Sequence, residues 1–224
     1  MCFSAEISFT AAGILGILGT ATLKNQPTKP YFYLAAIPFL FGLQQLSEGV
    51  LWTELGQVHP HVALVEIAKW TFILFAFLVW PIWIPLSLFA IEKVQWRRQL
   101  IGLVLVAGTS LSLTNLYYGL GQPIGVNIIN HSIQYVGHLP LPSETYTYPS
   151  ILIIPTFLSS LNRIWIFGAL ALVTYAIASY FYSVTFISVW CFFAAVVSSI
   201  IFKILRDSRN ESQQSNLREK NQAG

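Results

Sequence analysis

Between Val62 and Ile91 the chain reads VALVEIAKWTFILFAFLVWPIWIPLSLFAI, in which only Glu66 and Lys69 are charged. A helix crosses the ~30 Å hydrocarbon core of a bilayer with about 20 apolar residues. This run is therefore long enough to span, with length to spare. Pro81 and Pro85 each remove a helix donor. Two readings follow: one tilted, kinked helix whose freed carbonyls are satisfied by neighbours, or two half-spans.

Working outward, six more stretches qualify as spans: Ile7–Leu23, Tyr31–Trp52, Leu100–Leu120, Tyr148–Leu161, Ile164–Tyr182 and Thr185–Ile204. The composition agrees. Of 224 residues, 55% are hydrophobic and 9% charged, against about 25% charged in a soluble domain. This excludes a soluble enzyme, a disordered chain and a nucleic-acid binder. The net charge of +3 is small, and most basic residues flank apolar runs.

The basic residues fix an orientation. Lys24 and Lys29, then Lys93, Arg97 and Arg98, then Arg163, then Lys203, Arg206, Arg209, Arg218 and Lys220 occupy alternate connections and the C-terminal end. The other connections, about 53–61, 121–147 and 183–184, hold no Lys or Arg, and Lys69 is the one basic residue on that side. The positive-inside rule then predicts an all-α polytopic membrane protein with seven transmembrane helices, N-terminus out and C-terminus in. The bundle occupies residues 1–206. Residues 207–224 read as a polar, disordered cytoplasmic tail. The N-terminus lacks the basic n-region of a signal peptide and reads as mature sequence beginning almost directly in a helix, with Ser4 as its N-cap. Gly13, Gly16 and Gly19 give the first span a small-residue face for close helix packing.

Several chemistries lack their residues. No histidine lies inside an apolar span, so haem held by facing intramembrane histidines is not expected. Retinal is not expected either, because the last span has only Lys203, at its inner end. An HxxxH pair of the seven-span zinc hydrolases and the arginine row of a voltage sensor are also missing. No repeat is apparent between the halves, which disfavours an inverted-repeat transporter.

The polar residues gather on the outer side. The second span ends FGLQQLSEGVLW, placing Gln44 and Glu48 on one helix face and Gln45, Glu48 and Trp52 along another. A carboxylate there must be paired, water-exposed or coordinating a cation. Asn115 lies about a turn below the outer end of the fourth span and needs a partner. The long 121–147 connection contains GVNIINHSIQYVGH and reads as a small β-hairpin or a flap over the outer face. In an extended strand His131, Ile133 and Tyr135 share a face, with a turn at Gly137. Cys2, Glu48, His131 and His138, with Glu54 nearby in sequence to Glu48, make a candidate divalent-metal constellation. His59 and His61 are a weaker pair. Removal of Met1 would let the α-amine and thiolate of Cys2 chelate together. The competing reading is a buried thiol at the start of the first helix. Cys191, in an apolar run, reads as a packed thiol.

The opening MCFSAEISF together with PFLFGLQQLSEGVLW resembles a family of uncharacterised bacterial membrane proteins. Its members begin with MCFSA-type sequence and carry a QQ-x-x-EG-x-x-W-type motif in the second span. The matching positions here are Cys2, Phe3, Ser4, Gln44, Gln45, Glu48, Gly49 and Trp52. The resemblance covers about the first 52 residues and implies a bacterial inner membrane, where glycosylation at Asn130 is not expected. It supplies no activity.

Two functions stay open. One is an outward site for a metal ion or small ligand, hydrolytic or redox if enzymatic. There Glu48 serves as base or ligand, the histidines as ligands, and Gln44, Gln45, Trp52, Asn115 and Tyr135 line the site. The other is a transport, channel or accessory protein in which Glu48 lines an ion or proton path. A third, a packing role alone, predicts that replacing these residues changes stability and nothing else. The partners expected are the lipid bilayer and a small ligand or ion.

Overall fold

The architecture is that of a computed structural model, which describes residues 4–119, 122–137 and 146–222. Helix α1 (Ala5–Lys24) starts at Ser4, whose Oγ accepts the Ile7 N–H. Helix α2 (Phe32–Leu55) follows a short 3-10 turn at Lys29–Tyr31. The Val62–Ile91 stretch is one continuous rod: α3 (Val62–Leu74), a π-helical turn (Phe75–Val79) and α4 (Trp80–Ile91). Of the two readings of this stretch, the single helix therefore holds. Helix α5 (Gln95–Gly119) precedes strands β1 (Gly125–Ile129) and β2 (Ser132–Val136). Helices α6 (Thr147–Leu158), α7 (Ile164–Phe181), α8 (Phe186–Ser198) and α9 (Ile200–Gln222) complete the chain.

Six helical stretches are long and apolar enough to cross a membrane. The exception among the expected spans is the fifth, because α6 has only 12 residues, about 18 Å of rise. Its ends explain the shortfall. The Tyr148 hydroxyl, at the start of α6, donates to the carbonyl of Ala76 in the π turn (2.6 Å), halfway along its rod. The residues just after α6 bind Glu92 at the far end of the same rod. Helix α6 thus covers half the depth of the bundle.

Helix α2 is the centre. Of its apolar window 72% is buried in the protein, against 22% for α1 and for α5, whose outer faces are left to lipid. Helix α1 lies tightly on α2. A side chain at Gly19 would run into the Phe39 backbone, and one at Gly42 would crowd the Ala12 carbonyl and the Gly16 amide. A Cβ at Gly13 or at Gly16 would meet nothing, so of the three glycines on the small-residue face of α1 only Gly19 is itself required by the close approach. The largest core cluster joins Leu34, Phe41, Trp80, Ile84, Leu88 and Ile201, uniting α2, α4 and α9.

The connections sort to two ends. At one end, Glu92 accepts the Val94 N–H (2.9 Å), the Ser160 N–H (2.6 Å) and the Ser160 hydroxyl (2.7 Å). Arg163 pairs with Asp207 at 2.6 Å, and Arg209 donates to Asn25 at 2.8 Å. This end carries the basic connections. Burial alone would raise the Glu92 carboxyl, but donors from Ser160 and Val94 outweigh it and hold the group below its ordinary range. The opposite end carries the hairpin, the Glu54–His61 corner and the Ser183–Thr185 turn.

The tail departs from expectation. Helix α9 runs on to Gln222, where a disordered tail is predicted from composition. The stretch after Lys203 has neither Gly nor Pro before Gly224 and is rich in Arg, Gln, Glu and Asn, with Leu205 and Leu217, so nothing in it breaks a helix already started in the bundle.

Candidate functional site

The π turn ends two residues before Pro81. Pro81 has no N–H to return to the Phe77 carbonyl four residues earlier. Side chains from other helices approach the loosened carbonyls instead. Tyr148 donates to Ala76, the Asn115 amide to Phe77 (3.4 Å) and the Ser112 hydroxyl to Leu78 (3.1 Å). Proline 85 frees the Pro81 carbonyl in the same way, and α5 closes over it at Gly108, where a Cβ would overlap that oxygen. Such freed groups are tolerated inside a membrane where neighbouring helices satisfy them.

Next to this turn lies a buried polar cluster. Gln44, Gln45 and Glu48 are 0%, 0% and 2% exposed. Glu48 sits seven residues, about 10 Å, inside the end of α2 at Leu55. The Ser188 hydroxyl from α8 donates to Glu48 Oε1, and Gln45 Nε2 donates to Oε2 (3.3 Å). Gln44 Oε1 accepts the Trp80 indole N–H (2.8 Å), and that indole stacks on Phe41. Cys191, one turn from Ser188 on α8, lies beside Gln44. Among the described residues, no Lys, Arg or His side chain reaches the Glu48 carboxyl. Gln45 Oε1 is buried without a partner, as is the hydroxyl of Tyr135.

Tyr135 belongs to the hairpin, which explains how an irregular segment reaches this depth. Strands β1 and β2 pair antiparallel, with Ile129 opposite Ser132 and Gly125 opposite Val136. Asn130 and His131 form the two-residue turn, both with positive φ (48° and 56°), as a type I′ hairpin requires. Along β2, Ser132 and Ile133 are buried. Ile133 packs on Leu51 and Ala68, and Tyr135 stacks on Phe72 at 4.7 Å. Lys69 fastens the base of the hairpin. It is 5% exposed, and its ammonium donates to the Ile124 carbonyl (2.8 Å) and to Glu66 (2.6 Å). The hairpin is thus wedged between α2, α3 and α8, over the polar cluster. Burial, then the neighbouring Glu48 and Cys191, pushes the Tyr135 phenol well above its ordinary range.

The expected site residues divide. Gln44, Gln45, Glu48 and Tyr135 come together. Trp52 lies further along α2, packed beside the hairpin. Asn115 faces the π turn instead. His131 corrects a sequence reading: it is part of the turn and exposed, so it does not share the inward face of Ile133 and Tyr135. Cys2 and His138 lie outside the described residues. Among the described residues, no three His, Cys, Asp or Glu side chains converge to hold a metal ion. Glu54 is used locally, accepting the His61 N–H at 2.8 Å and its ring Nδ1 at 3.3 Å. Sequence reasoning missed Ser188. Its signal was a small hydroxyl three residues before Cys191 in an otherwise apolar run.

The fold and this cluster define a helical membrane protein of the multi-span class, with a buried carboxyl beneath a β-hairpin. The chain belongs to a family of unknown function, DUF6629, which matches residues 1–216. Neither a curated protein nor a solved structure matches the chain.

Proposed function

We propose that this protein is a bacterial inner-membrane protein that binds a proton or a small monovalent cation at Glu48 and lets it move along a path under the hairpin. In this reading α6 completes a seventh passage, the N-terminus lies outside and the basic end lies in the cytosol. The gathering of the basic connections at one end supports that orientation.

One observation carries the functional reading. Glu48 is buried between α2 and α8 with neutral donors only, and two unpartnered oxygens, of Gln45 and Tyr135, lie in the same cluster. A carboxyl in such a place is stable when it carries a proton or a cation. Uptake and release of that ion, with the hairpin as cap, is what the arrangement can do chemically.

The test is ion flux in proteoliposomes, followed with an internal pH dye and with sodium and potassium reporters. Wild-type flux abolished by Glu48→Gln and reduced by Tyr135→Phe, with the variants still folded, supports the reading. No flux, or flux unchanged in Glu48→Gln, overturns it. Near-stoichiometric divalent metal in the wild type, lost in Glu48→Gln, would replace it with a metal centre at Glu48.

A further inference from the structure

Another polar atom without a partner, Asn115 Oδ1, lies outside the Glu48 cluster. Between the π turn and α5 there is a cavity of about 210 Å³, walled by Trp70, Ile73, Leu74, Phe77 and Leu116. Its lining is almost wholly apolar, and Asn115 is part of it. Asn115 is 6% exposed. Its Nδ2 must face the Phe77 carbonyl, which only accepts, so Oδ1 is the end left over, and it has no partner. A buried acceptor of this kind costs free energy until a donor reaches it.

The cavity opens sideways. Leu74, which lines it, is 41% exposed. In a membrane this surface faces acyl chains, so an occupant enters from the bilayer. Asn115 lies four residues, about 6 Å, inside the end of α5. The volume is below the 300–1,000 Å³ typical of drug-sized pockets. It accepts a chain segment and one small polar group, not a full headgroup.

We infer that this groove binds a neutral alkyl lipid bearing a single hydroxyl, such as a long-chain alcohol. The hydroxyl donates to Asn115 Oδ1 and the chain lies along Leu74 and Leu78. The site is independent of the ion-binding reading of Glu48.

The test uses the full chain in nanodiscs of phosphatidylcholine, which has no hydroxyl donor. Quenching of Trp70, isolated as the difference between wild type and Trp70→Phe, is followed with 11-bromoundecanol and with its methyl ether. The expected result is saturable quenching by the alcohol. The ether, and the alcohol against Asn115→Leu, should bind about tenfold more weakly, the value of one lost hydrogen bond. Leu74→Phe, which fills the mouth without touching Asn115, should also abolish saturation. Alcohol and ether quenching alike in the wild type, or quenching that only rises linearly with mole fraction, overturns the inference. The alcohol–ether comparison needs no Asn115 variant, so misfolding of Asn115→Leu cannot rescue the idea.

Discussion

The carbonyl of Phe77, deprived of its helical donor by Pro81, lies 3.4 Å from the side-chain amide of Asn115 on the neighbouring helix. A covalent feature of one helix is thus met by a side chain of another. The two positions should be energetically coupled. Asn115→Ala should cost about 1 kcal/mol in the wild type and less in Pro81→Ala, where a backbone N–H is restored. A double-mutant cycle of thermal stability in detergent checks this, and strict additivity would count against it.

Two glycines, one at this contact and one remote from it, carry opposite predictions. Gly108→Ala places a methyl on the Pro81 carbonyl and should destabilise by about 1–3 kcal/mol. Gly13→Ala meets nothing and should be neutral or stabilising by up to about 1 kcal/mol through helix propensity. Melting temperatures of the two variants side by side decide the matter.

Lys69 should matter more to the hairpin than to the helices. Lys69→Met removes the donor to the Ile124 carbonyl while keeping most of the stem's packing. Hydrogen exchange in Gly125–Val136 should speed up by roughly tenfold or more, the equivalent of one charge-assisted hydrogen bond, while exchange in α2 stays as it was. Equal acceleration in both would mean that the lysine holds the bundle together, not the hairpin.

Glu92 gives the basic end a pH dependence whose sign is set by its donors. Its carboxyl titrates below the ordinary value of 4.5. Its stabilisation is therefore complete above 4.5 and is lost as the pH falls through the lower folded value. Glu92→Gln should cost about 1–3 kcal/mol near neutral pH and should flatten the acid limb of the stability profile. Melting curves between pH 7 and about pH 3 test both parts.

Much of this fold is legible in the residues. Apolar length identifies the long helices, because a bilayer sets that length directly. The alternation of basic connections predicts which ends meet, and Arg163–Asp207 and Arg209–Asn25 do meet. The triad Gln44, Gln45 and Glu48 is legible because helix geometry places such spacings together. What stays hidden depends on tertiary contact. The depth at which α6 starts is set by Tyr148 reaching Ala76, 72 residues away. The hairpin turn at Asn130-His131 is hidden too, because the buried face of Ile133 and Tyr135 fixes the register. Lys69 and Glu66 do pair, but the burial of Lys69 under the Ile124 carbonyl turns a minor surface pair into an anchor. The helical tail is hidden for another reason: composition reports polarity, whereas a helix propagates from the one before it.

The bond between Ser188 and Glu48 joins residues 140 positions apart in the chain. During synthesis, Glu48 enters the bilayer on the second span, and the hairpin follows well before α8 is made. The carboxyl therefore has only Gln45, its neighbour on the same helix, until the last span arrives. Assembly of the cluster is a late event of biogenesis, and a chain stopped before α8 carries an exposed, half-partnered acid inside the membrane.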